Sequence, residues 1–149
     1  MGDVFVVLFF GLIAVSCTFH VQAGFVSQEV ILLGLACGLV INNILVVNNY
    51  RDIDEDILAN KRTLVVLLGR RWALVQYGLS LLSAGAVLCW LVWQGRNPMI
   101  LLGLLAIAYG FRLLRKLAKA SAPVHFLAAL KGAALVVVAY SGLVSLALF

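Results

Sequence analysis

Five long apolar stretches constrain this chain more than any other feature. They cover about residues 4–21, 30–47, 72–93, 99–117 and 124–149. A helix needs about 20 predominantly apolar residues to cross the hydrocarbon core of a bilayer, and these stretches have that length. The fourth begins just after Pro98, a good first-turn residue. Its uninterrupted apolar part is only 99–111, so it reaches full length when Arg112, Arg115 and Lys116 snorkel to the membrane surface. Composition supports the same reading: 64% of the residues are hydrophobic and 11% charged, where a soluble domain carries about 25% charged residues. A small soluble domain keeps much of its surface in water, so the natural solvent here is lipid. The chain is expected to be all-α, a polytopic transmembrane bundle of five spans forming one membrane-embedded unit over residues 1–149. It shows no linker, low-complexity stretch or internal repeat.

The net charge of +5 does not point to nucleic acid, because the basic residues sit in short patches between apolar runs. Residues 22–29 carry no Lys or Arg, 48–71 carry five, 94–98 one and 112–123 four. That alternation follows the positive-inside rule. It predicts that the N-terminus and the two basic connections face the cytoplasm and the C-terminus faces out, with Trp90 and Trp93 at the outer interface. Ala14-Val15-Ser16 before Cys17 resembles a lipoprotein cleavage site, but no Lys or Arg precedes the apolar run, so the first stretch reads as a span. Cys17, Cys37 and Cys89 lie inside apolar runs and read as small hydrophobes. Gly34 with Gly38, and Gly103 with Ala106 and Gly110, form small-residue stripes suited to close helix packing.

Chemistry concentrates in one place. Four of the six carboxylates, Asp52, Asp54, Glu55 and Asp56, directly follow the second span. If the helix continues past the membrane surface, Asp52 and Asp56 share a face one turn apart, and Asn48 joins them. That face offers oxygen ligands only, which suits Mg²⁺, a cation commonly held by one or two carboxylates plus substrate phosphates. Lys61-Arg62 and then Arg70-Arg71 follow, and a diphosphate wants cationic contacts as well as a metal. The competing reading is a solvated acidic turn paired with Arg51, Lys61 and Arg62. Within the second span, Asn42 and Asn43 are either functional polar groups or partners in interhelical hydrogen bonds. His20 and His125 stand alone near span ends, and Lys131 is placed to snorkel.

The run Asn48-Asn49-Tyr50-Arg51-Asp52, then Asp56, then Lys61-Arg62-Thr63-Leu64 resembles the second aspartate-rich motif of the UbiA-type intramembrane prenyltransferases. Its NNxRDxxxDxxxxKRT form is most similar to the menaquinone branch, the 1,4-dihydroxy-2-naphthoate polyprenyltransferases. Residues Gly2-Asp3-Val4-Phe5 through Thr18, Gln22 and Gly24 add to the similarity. The resemblance implies transfer of a polyprenyl group from polyprenyl diphosphate to an aromatic ring, dihydroxynaphthoate, with loss of its carboxyl group. It implies Asp52 and Asp56 as catalytic Mg²⁺ ligands. Asn48, Arg51, Lys61 and Arg62 would support metal or diphosphate. It also implies an integral protein of the bacterial inner membrane with the motif loop in the cytoplasm.

The family has about nine spans and two such motifs, the first of the form NDxxDxxxD. No Asn-Asp dipeptide occurs in this chain. The expectation is therefore a C-terminal half of the fold, one wall of a diphosphate site that is inactive alone. Met1 would then be an internal start, the mark of a truncated gene, or the beginning of one half of a split enzyme with a separate N-terminal half. Rival readings are a different acceptor such as 4-hydroxybenzoate, and a non-catalytic membrane interaction subunit.

Overall fold

Apolar sequence of this length, with every backbone polar group needing an internal partner in lipid, leaves helix as the available conformation. The computed structural model describes residues 2–148, and among them there is no strand. Five long helices form: α1 (Gly2–Ala23), α2 (Gln28–Arg51), α5 (Arg70–Trp93), α6 (Pro98–Leu117) and α7 (Pro123–Leu148). Two short ones, α3 (Ile53–Leu58) and α4 (Leu64–Leu68), lie between α2 and α5. All five long helices are apolar and long enough to cross a membrane. Each expected span is present with its ends shifted by at most a few residues. The expected ends at Met1 and Phe149 lie outside the described residues.

Local chemistry explains the boundaries. The Ser27 side chain accepts from the Val30 backbone amide at 3.3 Å, starting α2 two residues before its apolar run. Asn97 caps the next start by accepting from Met99, and the first turn of α6, Pro98–Leu102, is a 3₁₀ turn with Pro98 at its head. Gly24 takes a positive φ of 78° and ends α1.

The bundle is antiparallel between sequence neighbours, and α2 is its axis, packed against α1, α5 and α7. Lipid supplies no hydrophobic drive between helices, so close packing of small residues has to hold them. Gly34 and Gly38 do this on α2: α1 approaches backbone to backbone, so that a Cβ on Gly11 would stand 2.5 Å from the Gly38 Cα. Gly11 sits in the stretch Val7–Ile13, where α1 widens to a π-helix. The second stripe works through side chains. Leu81 packs over Gly110, Leu88 and Val144 over Gly103, and Leu113 over Gly132, while Ala106 is buried beside them. One continuous apolar core results, with Tyr77, Leu81 and Leu88 from α5 and Val136 and Tyr140 from α7.

Asn42 and Asn43 of α2 both join helices. Ser80 Oγ donates to Asn43 Oδ1 at 2.6 Å, with the Tyr77 carbonyl at 2.8 Å as its alternative acceptor. Asn42 Nδ2 donates to Asp3 Oδ1 at 3.1 Å, and Gln76 Nε2 donates to the same oxygen at 2.8 Å. At the other end of the bundle, Arg96 grips Glu29 through two nitrogens, tying the α5–α6 connection to the start of α2.

Candidate functional site

The acidic segment begins where α2 ends in a bend, with one helical hydrogen bond kept on either side of it. The Asp52 amide donates to the Asn48 carbonyl at 2.9 Å, and the Asp56 amide donates to the Asp52 carbonyl at 2.8 Å. Asn48, Asp52 and Asp56 therefore stand on three successive turns, the arrangement their spacing predicts. The bend falls at Asp52 itself, with φ −91° and ψ 12°.

The chain then turns back over its own carboxylates. Ala59 ends α3 and Asn60 adopts a left-handed φ of 52°, a conformation asparagine tolerates better than other side-chain-bearing residues. Asn60 donates to the Ile57 carbonyl at 3.1 Å and Lys61 to the Asp56 carbonyl at 2.9 Å. These two bonds make a Schellman closure, and it lays Lys61 on Asp56: Nζ stands 2.8 Å from Oδ1. Thr63 then caps α4 by accepting from Val66 at 3.2 Å, and Gly69, at φ 86°, hands the chain to α5.

The two aspartates sit in different surroundings. Asp56 is only 3% exposed, and Lys61 is its ionic partner. Asp52 is part-exposed and receives Arg51 at both oxygens, Nε to Oδ1 and Nη2 to Oδ2. The Arg51 hydrogen bond holds the Asp52 carboxyl below its ordinary value, against the smaller opposing effect of burial. The Asp56 carboxylate likewise holds the Lys61 ammonium above its usual value. Asn48 is half-buried, while Arg62 is exposed and makes no ion pair among the described residues. Asp54 and Glu55 point outward, and Asp54 pairs with Arg70 at 2.9 Å.

The fold thus brings together Asn48, Arg51, Asp52, Asp56 and Lys61, and leaves Arg62 at the rim. It also brings in Arg70, from one of the two basic pairs that follow the carboxylates in the sequence. The Arg70 guanidinium lies 5.8 Å from the centre of the buried Tyr50 ring while holding Asp54, a cation–π seat that locks the start of α5 to the end of α2. An aromatic residue inside the motif and a basic residue opening the next span were the available signal. Of the polar trio Asp3, Asn42 and Gln76, the sequence reading singled out Asn42 alone. Asp3 at the head of an apolar run was the trio's other trace, since carboxylates in spans are costly.

No group of three or more His, Cys, Asp or Glu able to hold a metal occurs among the described residues. Asp52 and Asp56 still fit Mg²⁺. That ion keeps several waters and commonly takes one or two carboxylates plus phosphate oxygens, and Asp56 Oδ2 is not engaged by Lys61.

Fold and site together define a multi-pass integral membrane protein with an aspartate pair and basic side chains at one end of its bundle. The chain belongs to the UbiA prenyltransferase family, whose family model matches residues 1–130. A 1,4-dihydroxy-2-naphthoate octaprenyltransferase of Haemophilus influenzae is 40% identical over 93 residues, 62% of this chain and 30% of that protein. The protein of the same name in Escherichia coli is 42% identical over 69 residues, covering 46% and 22%. UbiA prenyltransferase domain-containing protein 1 of Gallus gallus is 32% identical over 116 residues, covering 78% and 34%. The aligned part therefore spans about a third or less of the length of these curated relatives. No solved structure matches the chain.

Proposed function

We propose that this chain carries one wall of the diphosphate site of a polyprenyltransferase that joins a polyprenyl group to 1,4-dihydroxy-2-naphthoate. The supporting observation is Asp52 and Asp56 on consecutive turns, with Lys61 folded back onto Asp56. The names of the bacterial relatives support the acceptor.

In the reaction, the allylic carbon–oxygen bond of polyprenyl diphosphate breaks, the electron pair leaves with the diphosphate, and a ring carbon of the acceptor takes its place; the acceptor's carboxylate leaves as carbon dioxide, and the electron pair of that bond returns to the ring. Negative charge grows on the leaving group, and fixed positive charge near it lowers the barrier. Asp52 and Asp56 would hold Mg²⁺, which when bound neutralises and orients the diphosphate. Lys61 and Arg51 are positioned to exchange their carboxylate partners for phosphate oxygens as the carboxylates turn to the metal. Arg62, exposed beside them, supplies a further contact, and Asn48 adds an amide oxygen one turn deeper. These two carboxylates would supply only part of the ion's oxygen ligands, with phosphate, water and carboxylates from outside these residues supplying the rest. The basic connections support placing this end of the bundle in the cytoplasm of a bacterial cell.

The test is binding of farnesyl diphosphate to the chain in lipid nanodiscs, with and without Mg²⁺. Binding is expected to need Mg²⁺ and to weaken by about tenfold or more in Asp52→Ala and in Asp56→Ala, the size of a charge-assisted contact. Mg²⁺-dependent binding that both substitutions leave intact would refute the site. For the acceptor, membranes competent for transfer should prefer dihydroxynaphthoate in direct competition with 4-hydroxybenzoate.

A further inference from the structure

The polar trio at the head of α1, with Asp3 and Asn42 buried and Gln76 half-buried, is incompletely satisfied. One oxygen of Asp3 accepts from both Asn42 and Gln76. A carboxylate oxygen can only accept, so both amides are oriented with nitrogen toward Asp3 and carbonyl oxygen away. Those two oxygens, Asn42 Oδ1 and Gln76 Oε1, are buried and have no donor. Asn42 is 4% exposed and Asp3 8%. Leaving a buried acceptor unmet is costly, and here two of them lie beside a carboxylate. A groove of about 350 Å³ runs past them, lined by Asp3, Asn42 and Gln76 and walled by Val4, Leu8 and Leu39.

Its chemistry specifies a ligand. Its two unmet polar atoms are both acceptors, so the ligand must donate hydrogen bonds. The walls are aliphatic, so the rest of the ligand must be apolar. Position narrows it further. Asn42 and Asn49 are seven apart on α2 and drift only about 20° per heptad, so the groove lies on a face of α2 that runs toward the acidic segment. Asn42 precedes Asp52 by ten residues, about 15 Å along a helix. That length holds a diphosphate at the aspartates followed by one aromatic ring.

We propose that this groove binds the hydroxyl-bearing ring of the aromatic acceptor, which donates its hydroxyl hydrogens to Asp3 and to the carbonyls of Asn42 and Gln76. The assignment rests on the prenyl-transfer reading for the identity of the ring, but its physical content can be tested separately. The probes are 1-naphthol and 1-methoxynaphthalene, the same ring with and without a donor, measured by equilibrium dialysis against the chain in nanodiscs with empty nanodiscs as blank. Naphthol should show a saturable component that methoxynaphthalene lacks. Asp3→Asn and Gln76→Leu should each weaken it by about tenfold, with helical content checked by circular dichroism; the second variant keeps the test open if the first does not fold. Equal saturable binding of the two probes, or unchanged naphthol binding in both folded variants, overturns the proposal. Binding of farnesyl diphosphate with Mg²⁺ to the unsubstituted chain is read separately, and its failure would overturn the prenyl-transfer reading without altering the naphthol result.

Discussion

Lys61 Nζ stands 2.8 Å from Oδ1 of the nearly buried Asp56, placed there by a left-handed turn at Asn60. The pair makes the ligand-free site self-neutralising. On the proposed function, a metal ion and Lys61 would compete for Asp56, and a phosphate and Asp56 would compete for Lys61.

That competition predicts opposite effects of one substitution. In Lys61→Met, Mg²⁺ alone should bind several-fold more tightly, because Asp56 is no longer neutralised. Farnesyl diphosphate with Mg²⁺ should bind less tightly, because a phosphate contact is gone. Isothermal titration of each ligand separates the two, and movement of both affinities in the same direction would exclude the exchange.

Asp52 should ionise at unusually low pH in the metal-free chain. Arg51 holds its carboxyl below the ordinary 3.8. A depressed folded-state value stabilises the folded chain above the unfolded value and loses that contribution as pH falls through the folded one. The pair is part-exposed, so the stabilisation is at most about 1 kcal/mol. Carboxyl ¹³C titration should show the Asp52 midpoint rising toward 3.8 in Arg51→Gln; no movement would remove Arg51 as the cause.

The α1–α2 contact should tolerate almost no added volume. A Cβ on Gly38 would meet the Val7 carbonyl at 2.7 Å and the Gly11 Cα at 2.9 Å, both backbone atoms. Gly38→Leu is expected to cost about 3 kcal/mol or more, read as loss of cysteine crosslinking between α1 and α2. Gly142, with nothing within 4 Å of its added Cβ, should accept alanine within about 0.5 kcal/mol.

The Asn43–Ser80 bond is expected to be worth about 0.6 kcal/mol, the average for polar contacts within a membrane bundle. Asn43 Nδ2 is already buried without a partner. Ser80→Ala should therefore destabilise modestly, and Asn43→Leu in the Ser80→Ala background should recover part of the loss. A double-mutant cycle by reversible detergent unfolding checks this, and simple additivity would mean that the two side chains are not coupled.

Much of this protein is legible residue by residue. Five apolar runs of membrane length leave one backbone solution in lipid, so the number of helices and their approximate ends follow from local sequence. The spacing of Asn48, Asp52 and Asp56 likewise puts them on successive turns once the helix is granted, because the rise and pitch are properties of the backbone. Tertiary structure decided everything that depends on which helices meet. Gly11 carried no signal until α1 crossed Gly34 and Gly38. Arg70 became part of the acidic segment only when α5 brought it over Tyr50, and the turn at Asn60 delivered Lys61 rather than Arg62 to Asp56. Asp3, Asn42 and Gln76 lie on three helices, and nothing in their sequence separation announces a shared hydrogen-bonding centre. A helix's own hydrogen bonds are satisfied within one segment and can be read from it, whereas a buried side chain must find its partner across the bundle, and that choice is made by packing.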